Sequence, residues 1–251
     1  MKTVLVTGGA GEIGSAICQK FAENGYLVIA TYNSNHLKAE RLLRSLTGTG
    51  HSIFHAPTTE AKKVESLRDF VSEKYGKLDV LVNNAGITTP VKHEDLDGLS
   101  DEWIDKIMTT NFRGSFAMVR AMKNLLEQSY QNQTSEIRNS ALVVNISSIA
   151  GIYGIGSNIA YCASKAALDS MTRSLARALA PKIRVVSVSP GFVEGEYTKT
   201  FDPSFLQNQK DNTPLERFAQ GEDVANAVYA VASQLTFSTG NIITVDGGRL
   251  L

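Results

Sequence analysis

Short apolar runs recur along the chain without the polar alternation of a half-exposed strand: Val4-Leu5-Val6, Leu27-Val28-Ile29, Val80-Leu81-Val82, Leu142-Val143-Val144, Ile183 to Val188 and Ile242 to Val245. A strand of this kind is buried on both faces, which requires a parallel sheet covered by helices above and below. Longer amphipathic segments separate the runs, as crossover helices would. The expected fold is α/β: a doubly wound parallel sheet (Rossmann fold) of about seven strands with helices on both faces. At 251 residues, with no composition shift or Pro/Ser-rich linker, the chain reads as one domain spanning residues 1–251.

The first run ends in Thr7-Gly8-Gly9-Ala10-Gly11-Glu12-Ile13-Gly14 and passes into a helix expected from Ser15 to Asn24. Glycines let a backbone turn tightly against a diphosphate, whose charge then sits on the helix N-terminus. Gly9-x-Gly11-x-x-Gly14 satisfies the dinucleotide fingerprint in the strand-turn-helix context that gives it meaning. An NAD site of this type usually carries an acid about twenty residues further on, to hold the ribose 2′-hydroxyl. Here the second strand runs out into Thr31-Tyr32-Asn33-Ser34-Asn35, and the next acid is Glu40. An uncharged polar terminus leaves room for a 2′-phosphate, with Asn33, Ser34 and Lys38 as donors beside Tyr32, so NADP(H) is expected over NAD(H). The run through Val82 closes on Asn83-Asn84-Ala85-Gly86. Its amides can tie neighbouring strands, and its small residues admit a flat ligand.

The chemistry is expected between Ser147 and Lys165. Tyr161 and Lys165 are four residues apart, hence on one face of a helix. Bringing a phenol from its ordinary pKa of about 10 to near neutrality takes about 4 kcal/mol, roughly what one ammonium about 4 Å away supplies at an effective dielectric of about 20. Ser148 follows the buried run Ala141 to Ile146, so its hydroxyl emerges at the carboxyl end of a strand, where open α/β sheets bind ligands.

Other classes are disfavoured. Lysine plus arginine and aspartate plus glutamate each number 25, and the pI is about 6.9, so there is no electrostatic footprint for nucleic acid or an anionic membrane. No signal peptide and no membrane span are expected, which points to the cytoplasm. His36, His51, His55 and His93 lack ligand spacing, and no metal site is expected. Cys18 and Cys162 fall in different expected helices and form no disulfide framework; Cys162 is either an oxidation-sensitive thiol or a packed one. Asn132-Gln133-Thr134 matches a glycosylation sequon by chance.

Taken together, Thr7 to Gly14, Asn83 to Gly86, Asn111, Ser148, Tyr161, Lys165, Pro190-Gly191 and Val245-Asp246-Gly247-Gly248 follow the order and spacing of a known family. Over its whole length the chain resembles the short-chain dehydrogenase/reductases of the short single-domain branch. The segment Thr213 to Phe218 is similar to bacterial 3-oxoacyl-(acyl-carrier-protein) reductases. The resemblance implies a catalytic set of Asn111, Ser148, Tyr161 and Lys165, with Asn111 relaying protons through a water held by its backbone. It also implies a cofactor site including Thr7, Gly8, Gly9, Gly11, Glu12, Ile13, Gly14, Tyr32, Asn33, Ser34, Asn84, Ala85, Gly86, Tyr161, Lys165, Pro190, Gly191 and Val193. A homotetramer or homodimer built on the Asn111 and Tyr161 helices is implied as well.

Three positions depart from the family. Glu12 stands where short members have glycine, Pro57 where an Asp contacts adenine, and Gly195 where a Thr contacts the nicotinamide carboxamide, for which Thr198 is a substitute. Residues from about 192 to 216 form a flap over the substrate whose Tyr197, Phe201, Phe205 and Leu206 either meet an apolar substrate or hold the flap down. A helix from Ser100 to Gln128 carries Trp103, Ile107, Met118 and Met122 as core or subunit contact. The function expected is NADP(H)-dependent reduction of a ketone or aldehyde, free or carried as a thioester. The alternative is a non-catalytic dinucleotide-binding sensor with an altered cofactor loop.

Overall fold

A computed structural model describes residues 1–131, 139–196, 198 and 201–249. The sequon at Asn132 and Tyr197 of the expected flap lie outside the described residues. Among them, seven strands form one parallel sheet: β1 (Thr3–Val6), β2 (Leu27–Tyr32), β3 (Ser52–His55), β4 (Val80–Asn83), β5 (Ala141–Ile146), β6 (Ile183–Pro190) and β7 (Ile242–Val245). Their order is β3-β2-β1-β4-β5-β6-β7. The order reverses between β1 and β4, and such a switch point opens a crevice at the carboxyl ends of the strands.

The apolar runs of β1, β4, β5 and β6 are buried on both faces, as expected, whereas Ile242 to Val245 on β7 are only half-buried or exposed, because that strand closes the edge of the sheet. Val4 and Val6 face one core with Ile17, Phe21, Val224 and Val228, whereas Leu5 faces the other with Leu67, Met118, Met122 and Leu126. The helices α1 (Glu12–Glu23), α2 (His36–Ser45), α3 (Ala61–Tyr75), α4 (Asp101–Met108), α5 (Ser115–Gln131), α6 (Ile149–Tyr153), α7 (Ile159–Leu179), α8 (Pro203–Asp211) and α9 (Gly221–Ser233) supply the covering layers. No helix among the described residues is long and apolar enough to cross a membrane.

Three segments differ from expectation. Helix α1 begins at Glu12 rather than Ser15, because extended Gly11 serves as its N-cap. The long helix expected from Ser100 starts as predicted, with Ser100 capping the Trp103 amide, but a π-helical turn over Thr109–Gly114 divides it. Ile107, Met118 and Met122 are fully buried on either side of that turn, which re-phases the apolar face; Trp103 is only half-buried, with Lys106 over its ring. The segment after β6 contains α8, started by Asp202 and Pro203.

Candidate active site

The glycine loop and the end of β4 are sewn together. Thr7 Oγ1 accepts from the amides of Asn84 and Ala85 at 2.9 and 3.0 Å, and Asn84 Nδ2 donates to the carbonyls of Thr7 and Gly8 at 3.0 and 3.1 Å. Gly8 sits at φ 61°, a left-handed conformation natural to glycine. Gly14 is demanded by proximity, since a Cβ there would run into the Gly8 carbonyl and Asn84 Nδ2. Helix α1 has no side-chain cap, so its first-turn N–H groups face the crevice without a competing side-chain acceptor. Ile13 is half-buried, while the Glu12 side chain is exposed.

At the end of β2, Asn33 and Ser34 are exposed, and Tyr32 packs between His36 and His55. Asn35 caps α2 through the Lys38 amide, and Lys38 Nζ forms an exposed ion pair with Glu196 at 3.1 Å. Across the sheet, Pro190 ends β6 beside Val245, the Gly191 amide donates to the Val245 carbonyl, and buried Val193 bridges to Ala219.

Tyr161 enters the crevice in the first turn of α7. That turn is fixed by Asn158, whose side chain accepts from the Tyr161 amide at 2.7 Å and donates to Thr89 O at 2.7 Å and Thr88 Oγ1 at 3.2 Å. Lys165, 5% exposed, places Nζ 5.6 Å from the Tyr161 ring centroid and donates to the Ile146 carbonyl at the end of β5, at 2.7 Å. Burial pulls its pKa down to about 8, against the nearby carboxyl of Asp169, which favours the ammonium. Ser148 caps α6, accepting from the Ala150 amide at 3.2 Å. Asn111 lies inside the π turn. Its Oδ1 accepts from the Ile87 amide at 2.8 Å, and its Nδ2 donates to Ile87 O and Ser164 Oγ, each at 3.0 Å. A side chain on Gly86 would lie 3.3 Å from Asn111 Oδ1 and 3.6 Å from Lys165 Nζ, so the end of β4 runs against both. The expected residues from β1, β4, β5, β6, the π turn and α7 therefore converge on one edge of the sheet.

The profile of the family described as Enoyl-(Acyl carrier protein) reductase matches residues 8–249. The 3-oxoacyl-(acyl-carrier-protein) reductase FabG of Staphylococcus aureus is 33% identical over 100% of this chain and 98% of its own. The chain belongs to the short-chain dehydrogenase/reductase family. It is thereby an NAD(P)-dependent oxidoreductase. Among solved structures, a Brucella melitensis short-chain dehydrogenase/reductase superposes with a TM-score of 0.88 at 28% identity, covering 100% of this chain and 97% of that one. The Pseudomonas aeruginosa RhlG/NADP active-site complex superposes at 0.90 and 30% identity, covering 100% and 96%.

In this short-chain dehydrogenase/reductase the departures from the family pattern have physical consequences. Glu12 is exposed and stands as an acid in the first turn of α1, a favourable place at a helix N-terminus. Thr198 is engaged with Gly195, donating to its carbonyl at 2.6 Å and accepting from its amide at 3.3 Å. The flap aromatics pack on one another: Phe192 lies 4.8 Å from Phe218 and 6.1 Å from Phe201, and Phe201 lies 5.4 Å from Phe205. Cys162 is a packed thiol, with burial pushing its pKa up.

Sequence reasoning missed Asn158, Ser164 and Asp169. Asn three residues before Tyr161 at the start of an apolar-periodic run is an N-cap signal that could have been read. Asp169 continues the four-residue spacing of Tyr161 and Lys165. Ser164 had no signal, since its partner Asn111 is 53 positions away.

Proposed function

We propose that the protein is an NADP(H)-dependent reductase of a ketone or aldehyde, free or carried as a thioester. The observation that carries this reading is the buried Lys165 ammonium beside the Tyr161 ring at the carboxyl end of β5. Taking the 5.6 Å to the ring centroid, an ammonium there stabilises a developing phenolate by about 3 kcal/mol at an effective dielectric of about 20. A bound nicotinamide supplies the hydride. Tyr161 gives its proton to the carbonyl oxygen, Ser148 orients that oxygen, and Lys165 compensates the charge left on the phenol. Asn111 carries protons onward through the backbone opened by the π turn, a feature that recurs at functional sites.

The crevice suits the dinucleotide. Uncapped α1 and the Cβ-free Gly14 favour a diphosphate at Gly8, Gly9, Gly11, Glu12, Ile13 and Gly14. Thr7, Asn84, Ala85 and Gly86 line the nicotinamide side with Pro190, Gly191 and Val193. Tyr32, Asn33 and Ser34 leave an uncharged edge for a 2′-phosphate, and Lys38 is available when it leaves Glu196. The likeness to the Pseudomonas aeruginosa RhlG/NADP complex supports NADP over NAD. The thioester class rests on those FabG relatives, and the sensor alternative is not favoured by relatives named as reductases. The chain acts as one domain, residues 1–251, with residues 192–216 as its flap. It works in the cytoplasm as a homotetramer or homodimer through α4, α5 and α7.

Replacement of Tyr161 with Phe tests the mechanism. With NADPH and a panel of carbonyl compounds including acetoacetyl thioesters, kcat should fall by about 10²- to 10⁴-fold. Wild-type turnover by the Phe variant would overturn it. Parallel fluorescence titrations should show NADPH binding tighter than NADH, and tighter NADH would overturn the cofactor assignment alone.

A further inference from the structure

One face of α7 carries a phenol, an ammonium, a carboxylate and a guanidinium at four-residue spacing: Tyr161, Lys165, Asp169 and Arg173. The mechanism above uses the first two. Asp169 is 3% exposed, and neither of its carboxylate oxygens has a hydrogen-bond partner. The nearest hydroxyls are bonded elsewhere, Ser147 to the Lys165 carbonyl at 3.2 Å and Ser187 to Thr172 at 2.8 Å. A carboxyl enclosed in this way is costly to keep, and an apolar residue would pack there at less expense. Its neighbour is equally exposed to that cost, since Lys165 has a single hydrogen bond, to the neutral carbonyl of Ile146.

We propose that Asp169 is a positioning residue: the buried counter-charge that keeps Lys165 an ammonium beneath Tyr161 at neutral pH. It rests on the reading of Lys165 as the cationic partner of Tyr161. Among the described residues, Asp169 is the one charged group acting on Lys165. Asp169 in turn faces Lys165 and the exposed Arg173 along α7, the Ser147 hydroxyl after β5 and the Ser187 hydroxyl on β6. On the π turn the Asn111 amide is committed to Ile87 and Ser164. Burial raises the Asp169 pKa, and the cations Arg173 and Lys165 oppose it, so Lys165 and Asp169 hold each other charged.

The test is an NMR titration of full-length protein labelled with [ε-13C]lysine and [γ-13C]aspartate, with Lys165 assigned through Lys165→Arg. Wild-type Lys165 should titrate at about 8. In Asp169→Asn, and in Asp169→Leu should the Asn variant not fold, the inflection should drop by about one pH unit, a tenfold change in the ammonium's proton affinity. Thr172→Val breaks bonds in the same cluster without changing charge and should leave the inflection in place. An unmoved inflection in the Asp169 variants, or an uncharged Asp169 carboxyl at pH 7 in the wild type, would overturn the proposal. The alkaline limb of kcat/KM should move down with the Lys165 titration. If Lys165 titrates as expected while no carbonyl compound is turned over, the functional reading falls and the charge pair stands.

Discussion

Asn158→Ala should uncouple Tyr161 from the sheet edge without touching any reacting group. The substitution deletes three hydrogen bonds: the cap on the Tyr161 amide and the two donations to Thr88 and Thr89. Loss of an Asn N-cap costs about 1 kcal/mol. Asn158 is 1% exposed, so leaving the half-buried Thr89 carbonyl without its donor adds about 1 to 2 kcal/mol more. The sum, about 2 to 3 kcal/mol, lowers Tm by roughly 4 to 12 °C in a chain of this size. Asn158→Ser keeps an acceptor for the Tyr161 amide but loses the donors, and should recover about 1 kcal/mol. Differential scanning fluorimetry of the three proteins reads the stability. Carbonyl-reductase kinetics should show kcat falling more than KM rises, because the helix end that aims Tyr161 has loosened. An Ala variant within 1 °C of wild type, or Ala and Ser variants of equal Tm, would refute the reasoning.

Lys165→Met should abolish turnover and destabilise the protein by about 3 kcal/mol near neutrality, because it leaves the buried Asp169 carboxyl without the cation on the preceding turn and the Ile146 carbonyl without its donor. A Tm equal to or above wild type at pH 7, read by scanning fluorimetry, would show that the two groups do not support each other. Gly14→Ala forces a methyl group against the Gly8 carbonyl and Asn84 Nδ2, and should weaken NADPH binding at least tenfold, about 1.4 kcal/mol, by fluorescence titration.

The sequence by itself determined the features that repeat at short range. Apolar runs without alternation specified strands buried on both faces, as Val4, Leu5 and Val6 show by dividing between two cores. The glycine loop was legible because a tight strand-to-helix turn tolerates few residues. Tyr161 and Lys165 were legible because helix geometry alone puts residues four apart on one face. Only the tertiary structure decided how that face is used. Lys165 is buried against Ile146, which is 19 positions away in the chain, and Asn158 reaches back to Thr88 and Thr89 on the far side of the crevice. The π turn at Thr109–Gly114 has no periodic signature, and it exists where Asn111 is bonded on one side to Ile87 and on the other to Ser164. The segment after β6 is similar: its aromatics were visible in the sequence, but the packing of Phe192 depended on Phe218 arriving from the segment before α9. Local spacing is fixed by the backbone's own hydrogen bonds, whereas contacts between distant segments are fixed by the order in which the crossovers lay β1, β4, β5 and β6 side by side.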